Sequence, residues 1–138
     1  MTMYVFDTDH LSLYSRNHPE LLTKLRSRQI PLITTVVNLE EQVQGRFGQI
    51  SDAKNDAQKG IAYQWLTETI ADLSTFEILQ YDSAAQTIFQ NLKAQRVRIG
   101  TQDLRIGAIA LANGAVVLTR NLRDFERIPG LLIENWTI

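Results

Sequence analysis

Residues 3–13 read MYVFDTDHLSL: four apolar positions, then Asp7 and Asp9 on either side of a threonine, then His10. A short, unbroken apolar run is the pattern of a strand buried on both faces. Carboxylates directly behind such a strand serve three chemistries. Phosphatase nucleophiles, phospho-accepting signalling pockets and magnesium-dependent nucleases all begin this way, and the rest of the chain has to discriminate among them.

Outward from this stretch, PLITT (31–35), FEIL (76–79) and AVVLT (115–119) are further strand candidates, and LLIENW (131–136) supplies a short edge strand. Helical patterns fill the gaps. DHLSLYSR and HPELLTKLRSR come first, the second with Pro19 near its start. Val36, Leu39, Val43 and Phe47 then fall at helical spacing and predict a buried face, with Gly48 near the helix end. An amphipathic segment covers roughly 53–73, with Ala57, Ile61, Trp65 and Leu73 among its apolar positions. A helix follows from Ser83 to about Gln95, and Thr101 reads as the N-cap of another over 102–113 that stops at Asn113-Gly114. A helical turn is expected around 122–126. Strands alternating with helices predict a mostly parallel sheet covered on both faces: one three-layer α/β/α domain over 1–138. Such sheets carry their sites beyond the carboxyl ends of the strands.

Composition narrows the function. The 138 residues suit one domain, and with 44% hydrophobic and 21% charged residues the chain reads as globular. It has no cysteine, which excludes disulfides and thiolate metal sites. No apolar run is long enough to span a bilayer and the start has no basic-then-apolar leader pattern, so a cytoplasmic protein without membrane contact is the expectation. A net charge of −1 does not suggest a nucleic-acid binder. The distribution does: residues 93–127 hold seven basic side chains against three acids, and 52–82 hold six acids against two lysines. A basic stripe can grip phosphates in a protein that is neutral overall. Scattered arginines on a solvated surface are the plain alternative.

Acids at four places fall where the topology demands them. Asp7 follows the first strand, Glu40 and Glu41 lie beyond the second, Asp103 sits in the first turn of the helix at 102–113, and Asp124 comes just after AVVLT. Gathered at one edge, they would suit hard divalent cations, which take oxygen ligands. Singly, each has a structural explanation as a cap or turn residue. Helical spacing does not choose between the two glutamates, and Glu40 borders the Val36–Phe47 stripe more closely. His10 and His18 are better explained as local polar helix positions than as a metal pair, and Trp65 and Trp136 as core or interface anchors.

The segments VFDTDHLS, TTVVNLEEQVQG and IGTQDLRIGAIALANGAVVLTRNLRDFERIPGLLIENW together resemble the PIN-domain family, within it the VapC-type ribonuclease toxins of bacterial toxin–antitoxin pairs. The resemblance runs from Tyr4 to Trp136. Its most specific part is the C-terminal block, and 50–95 carries no diagnostic residues. It implies a metal-dependent endoribonuclease that hydrolyses RNA phosphodiester bonds and inhibits translation. Asp7, Glu41, Asp103 and Asp124 would be its catalytic and metal-binding acids, Glu41 being selected because it lies four residues before Gly45. Thr119 and Asn121 match supporting positions. Asp9 stands where the family more often has asparagine, and Asn38 where it often has threonine. The implied cofactor is Mg²⁺ or Mn²⁺, the implied partners are RNA, a small antitoxin and a second copy of the chain, and Arg120 and Arg123 are the candidate phosphate contacts.

Three other readings compete. A haloacid-dehalogenase-type phosphatase would want Thr or Val where Leu11 stands, and a lysine later than Lys93. A receiver-like signalling module lacks the same late lysine. A catalytically weak PIN fold that binds RNA or a partner would keep the architecture without the chemistry.

Overall fold

A computed structural model describes residues 2–138. The elements run β1 (Tyr4–Phe6), α1 (Thr8–Ser15), α2 (Pro19–Arg28), β2 (Ile33–Thr35), α3 (Val36–Asp52), α4 (Asp56–Leu73), β3 (Glu77–Leu79), α5 (Ser83–Ala94), α6 (Thr101–Ala112), β4 (Val116–Leu118), α7 (Leu122–Phe125) and β5 (Leu132–Glu134). All five strands pair in parallel in the order β3-β2-β1-β4-β5. Parallel neighbours need crossover connections, and the helices supply them on both faces. The expected α/β/α architecture is the one observed.

Alternation along the strands divides the core in two. Val5, Ile33 and Val117 pack with Phe89, Leu104 and Ile109 on the α5–α6 side. Phe6 and Leu118 pack with Leu11, Leu21, Leu73, Phe76 and Trp136 on the other. Register then fixes the working edge. Phe6 lies opposite both Thr34 and Leu118, so Asp7, Thr35 and Thr119 emerge side by side where the strands end.

Several helix ends follow from local chemistry. Pro19 occupies the first position of α2, behind a His18 cap that accepts from the Leu21 amide. Thr35 caps α3 through the Asn38 amide, Asn55 caps α4, and Asp82 caps α5. Gly114, at φ +62°, provides the left-handed residue that ends α6.

The structure corrects the helix readings in four places. Gly48 does not end α3, which continues to Asp52; a glycine inside a helix costs only about 1 kcal/mol. Of the Val36–Phe47 stripe, Val36, Leu39 and Val43 are partly buried against the core but Phe47 is 53% exposed, and the fully buried residues of α3 are Val37 and Asn38. In α4, which begins at Asp56 rather than 53, Ile61 and Trp65 are exposed at 49% and 40%, Ala57 is also exposed, and Ala62, Thr69 and Leu73 are the buried positions. Length explains both cases. A 17-residue helix runs about 25 Å and a three-residue strand about 10 Å, so the far halves of α3 and α4 overhang the sheet. Thr101 is the first residue of α6 rather than its cap, which is Gly100 with no side-chain bond. No helix among the described residues is long and apolar enough to cross a membrane.

Candidate functional site

Asp7 stands at the N-cap of α1 yet makes no side-chain cap bond. Its carboxylate is held elsewhere. Oδ1 accepts from Asn38 Nδ2 at 2.9 Å and Oδ2 from Thr119 Oγ1 at 2.9 Å, and the residue is only 7% exposed. Burial pushes its pKa up, reinforced by the charge of Asp9 and opposed by the bonds from Thr119 and Asn38.

Asn38 is fully buried and sets the next contacts. Its Oδ1 accepts the Thr35 hydroxyl at 2.7 Å, while Nδ2 also donates to Thr8 Oγ1 at 3.1 Å. Thr8 in turn donates to Glu41 Oε1 at 3.3 Å. Glu41 is half-buried, and its pKa rises through burial, then the charges of Asp7, Asp103 and Glu40. Glu40 points away. It is exposed and accepts from Gln102 Nε2 at 2.8 Å. The structure therefore turns Glu41 toward the other acids, against the facing that the Val36–Phe47 stripe suggested.

Asp103, in the first turn of α6, has its pKa raised to about 6 by burial and then by Asp7, Asp124 and Asp9. Asp124 accepts from Asn121 Nδ2 at 3.0 Å, which orients it in α7. Asp7, Glu41, Asp103 and Asp124 come from four distant segments, and in the first three burial, reinforced by neighbouring carboxylate charge, raises the pKa. Among the described residues no lysine, arginine or histidine forms an ion pair with any of the four. Nor do any three acid or histidine side chains stand in ready-made ligating geometry. The donor set still suits a hard divalent ion. It is all carboxylate oxygen without a compensating cation, and Mg²⁺ is ordinarily held by one or two carboxylates plus water and substrate phosphate.

Asp9 and His10 form a supporting tier. Asp9 Oδ2 accepts from the Arg120 amide at 3.0 Å, and Oδ1 lies 2.6 Å from His10 Nδ1. His10 is completely buried, so it is no ordinary polar helix position. Trp136 is buried as an anchor, and Trp65 is not. Thr119 is buried and also accepts the Asn121 amide at 2.9 Å, which ties the loop after β4 to Asp7. The side chains of Arg120 and Arg123 are exposed beside that loop, with no partner among the described residues. Sequence reasoning missed Thr8, whose only signal was a hydroxyl between two acids, and Thr35, whose only signal was a hydroxyl at a strand end.

No protein-family profile matches the chain. It is 31% identical to Ribonuclease VapC1 of Haemophilus influenzae, with 98% of each chain covered. It is 28% identical to the tRNA(fMet)-specific endonuclease VapC of Salmonella typhimurium, with 99% of each covered. The crystal structure of DNA-bound VapBC from Salmonella typhimurium superposes with a TM-score of 0.77 at 28% identity, covering 99% of both chains.

Proposed function

The chain belongs to the VapC ribonuclease family, and on that premise we propose that it is the toxin of a toxin–antitoxin pair, an endoribonuclease acting through Asp7, Glu41, Asp103 and Asp124. The observation that carries the assignment is Asp103, whose pKa is lifted to about 6 by burial and by the three aspartates facing it. Uncompensated, mutually repelling carboxylates at a strand-end edge are costly in a structural role and useful for cation chemistry. The whole span 1–138 serves as one nuclease domain, acting in the cytoplasm.

The acids are the residues that would hold Mg²⁺ or Mn²⁺. Bound there, such an ion would supply Lewis-acid activation of water and of the scissile phosphate. The chain's own contribution is positioning. Asn38 and Thr119 fix both oxygens of Asp7, Thr8 steers Glu41, and Asn121 steers Asp124. Arg120 and Arg123 would take flanking phosphates, which orient the RNA without reading its sequence. In the ion-free protein an Asp103 carboxyl oxygen keeps its proton up to about pH 6. An antitoxin would silence the site by placing an arginine among the carboxylates, a charge-assisted contact that the fold leaves open. Two copies would pair through the 36–73 region, where Phe47, Ile61, Tyr63 and Trp65 are exposed.

The name of the Salmonella relative makes tRNA the first substrate to try. Purified protein, free of antitoxin, should cleave tRNA when Mg²⁺ or Mn²⁺ is added and stop when the metal is chelated. Absence of cleavage across tRNA and ribosomal RNA with either metal would leave the weakly catalytic, binding-only alternative in its place.

A further inference from the structure

Arg105 lies on α6 two residues beyond Asp103, and the site described so far does not use it. Its guanidinium sits 4.9 Å from the Phe89 ring centroid and 5.9 Å from that of Tyr81, and the two rings meet edge to face. One nitrogen donates to Gln102 Oε1 at 2.8 Å. Among the described residues no carboxylate pairs with it. A half-buried cation held by two rings and one amide keeps most of its donors free.

Arg105 and Tyr81 form the shared wall of two concavities. One, of about 440 Å³, is also lined by Val36, Glu40 and Gln102; the other, of about 560 Å³, by Ser83, Gln86 and Gln90. Topology places this wall along the working edge. Because the strands are parallel, Tyr81 lies beyond β3, Glu40 and Glu41 beyond β2, Asp7 beyond β1, and Arg120 to Asp124 beyond β4. From β3 to β4 is three strand spacings, about 14 Å. A polyanion laid along the edge meets a cation, then the acids, then more cations.

We propose that Arg105 and Tyr81 form a nucleotide subsite for the RNA, on the opposite flank of the acids from Arg120 and Arg123; this rests on the ribonuclease assignment above. The guanidinium takes a phosphate and the tyrosine ring offers a stacking face for a base. Glu40 in the same concavity argues against an acidic peptide as occupant. A carboxylate can instead accept a base amino group, as cytosine offers.

The test uses the full-length chain with bulk tRNA, cleavage being followed in the active protein and binding in an Asp7→Asn background. Arg105→Gln should raise both KM and Kd by roughly five- to fiftyfold with little change in kcat, and lower the slope of log Kd on log salt by about one. Tyr81→Leu should weaken binding without altering that slope, and Tyr81→Phe should bind like wild type. Arg26→Gln, a charge removed far away on α2, should do nothing. Should Arg105→Gln fold poorly, Arg105→Met keeps the stem against the rings while removing the charge. Wild-type KM in both Arg105→Met and Tyr81→Leu would overturn the subsite while leaving the nuclease intact. An Arg105→Gln effect seen only in inhibition by a partner protein would overturn it in favour of a peptide groove. A wild-type protein that neither binds nor cuts RNA would overturn both proposals together.

Discussion

His10 Nε2 accepts the backbone N–H of Trp136 at 3.2 Å, in the buried layer beneath the sheet edge. That bond settles the tautomer. With Nε2 accepting, the ring proton resides on Nδ1 and points at Asp9 Oδ1, 2.6 Å away. Asp9 takes the Arg120 amide with its other oxygen. One imidazole thus joins the last residues, the first helix and the loop that carries Asn121 and Asp124.

His10→Ala should therefore cost about 2–4 kcal/mol, since it opens a cavity and leaves the Trp136 amide and one oxygen of the part-buried Asp9 without their partner. In a domain of this size that lowers Tm by roughly 10 °C. An unchanged melting curve would show that the Trp136 and Asp9 bonds contribute nothing.

Asp7→Asn and Asp103→Asn should each abolish tRNA cleavage while leaving the circular dichroism spectrum unaltered. Both exchanges keep shape and remove charge. Retained cleavage in either variant would remove that residue from the catalytic set.

The adjacent glutamates should separate clearly. Glu41→Gln should lose on the order of ten- to a hundredfold in activity, a loss typical even of groups that only support a metal ligand. Glu40→Gln, which breaks one exposed bond to Gln102, should stay much closer to wild type. The reverse order in initial rates would restore the facing suggested by the apolar stripe.

Metal and stability should be linked. At about a hundred times Kd, a cation that binds only the folded state adds roughly 2.7 kcal/mol, a rise of several degrees in Tm. Asp103→Asn should melt higher than wild type without metal and gain less when Mn²⁺ is added. Equal gains in the two proteins would place the metal elsewhere.

The same substitution should show a pH signature. Asp103 titrates near 6 in the folded chain against an ordinary 3.8. Between these values the folded state holds a proton that the unfolded state has lost, so this group favours folding most below about pH 4. The contribution is lost as pH rises through 6. In metal-free denaturant melts, the advantage of Asp103→Asn should be full at pH 7 and shrink toward pH 4.5. A pH-independent advantage would mean that neither burial nor the neighbouring carboxylates raise the Asp103 pKa.

Much of this was legible in the sequence, because parallel strands are short apolar runs and their sites follow directly behind them. The register that aligns Asp7 with Thr119 needed no more than MYVF and AVVLT being neighbours. The facing of Glu40 and Glu41 was not legible. The two glutamates flank the same partly buried stripe, and only their partners, Thr8 for Glu41 and Gln102 for Glu40, tell them apart. His10 was misjudged because the partner of its Nε2 is the Trp136 amide, a contact across 126 positions that local spacing does not report. Thr8 and Asn38 were obscure for another reason: small polar residues serve caps, turns and carboxylate networks alike, and only their partners distinguish these uses.

The central position of β1 has a consequence for biosynthesis. Asp7 is made well before β4, one of the two strands beside it, and 112 residues before Thr119, which fixes one of its oxygens. At about 5–20 residues per second, many seconds of translation separate Asp7 from Asp124. Through that interval a nascent copy carries Asp7 and Glu41 without their counterparts. The order of synthesis therefore keeps the four acids apart until Asp124 has been made and β4 has docked beside β1.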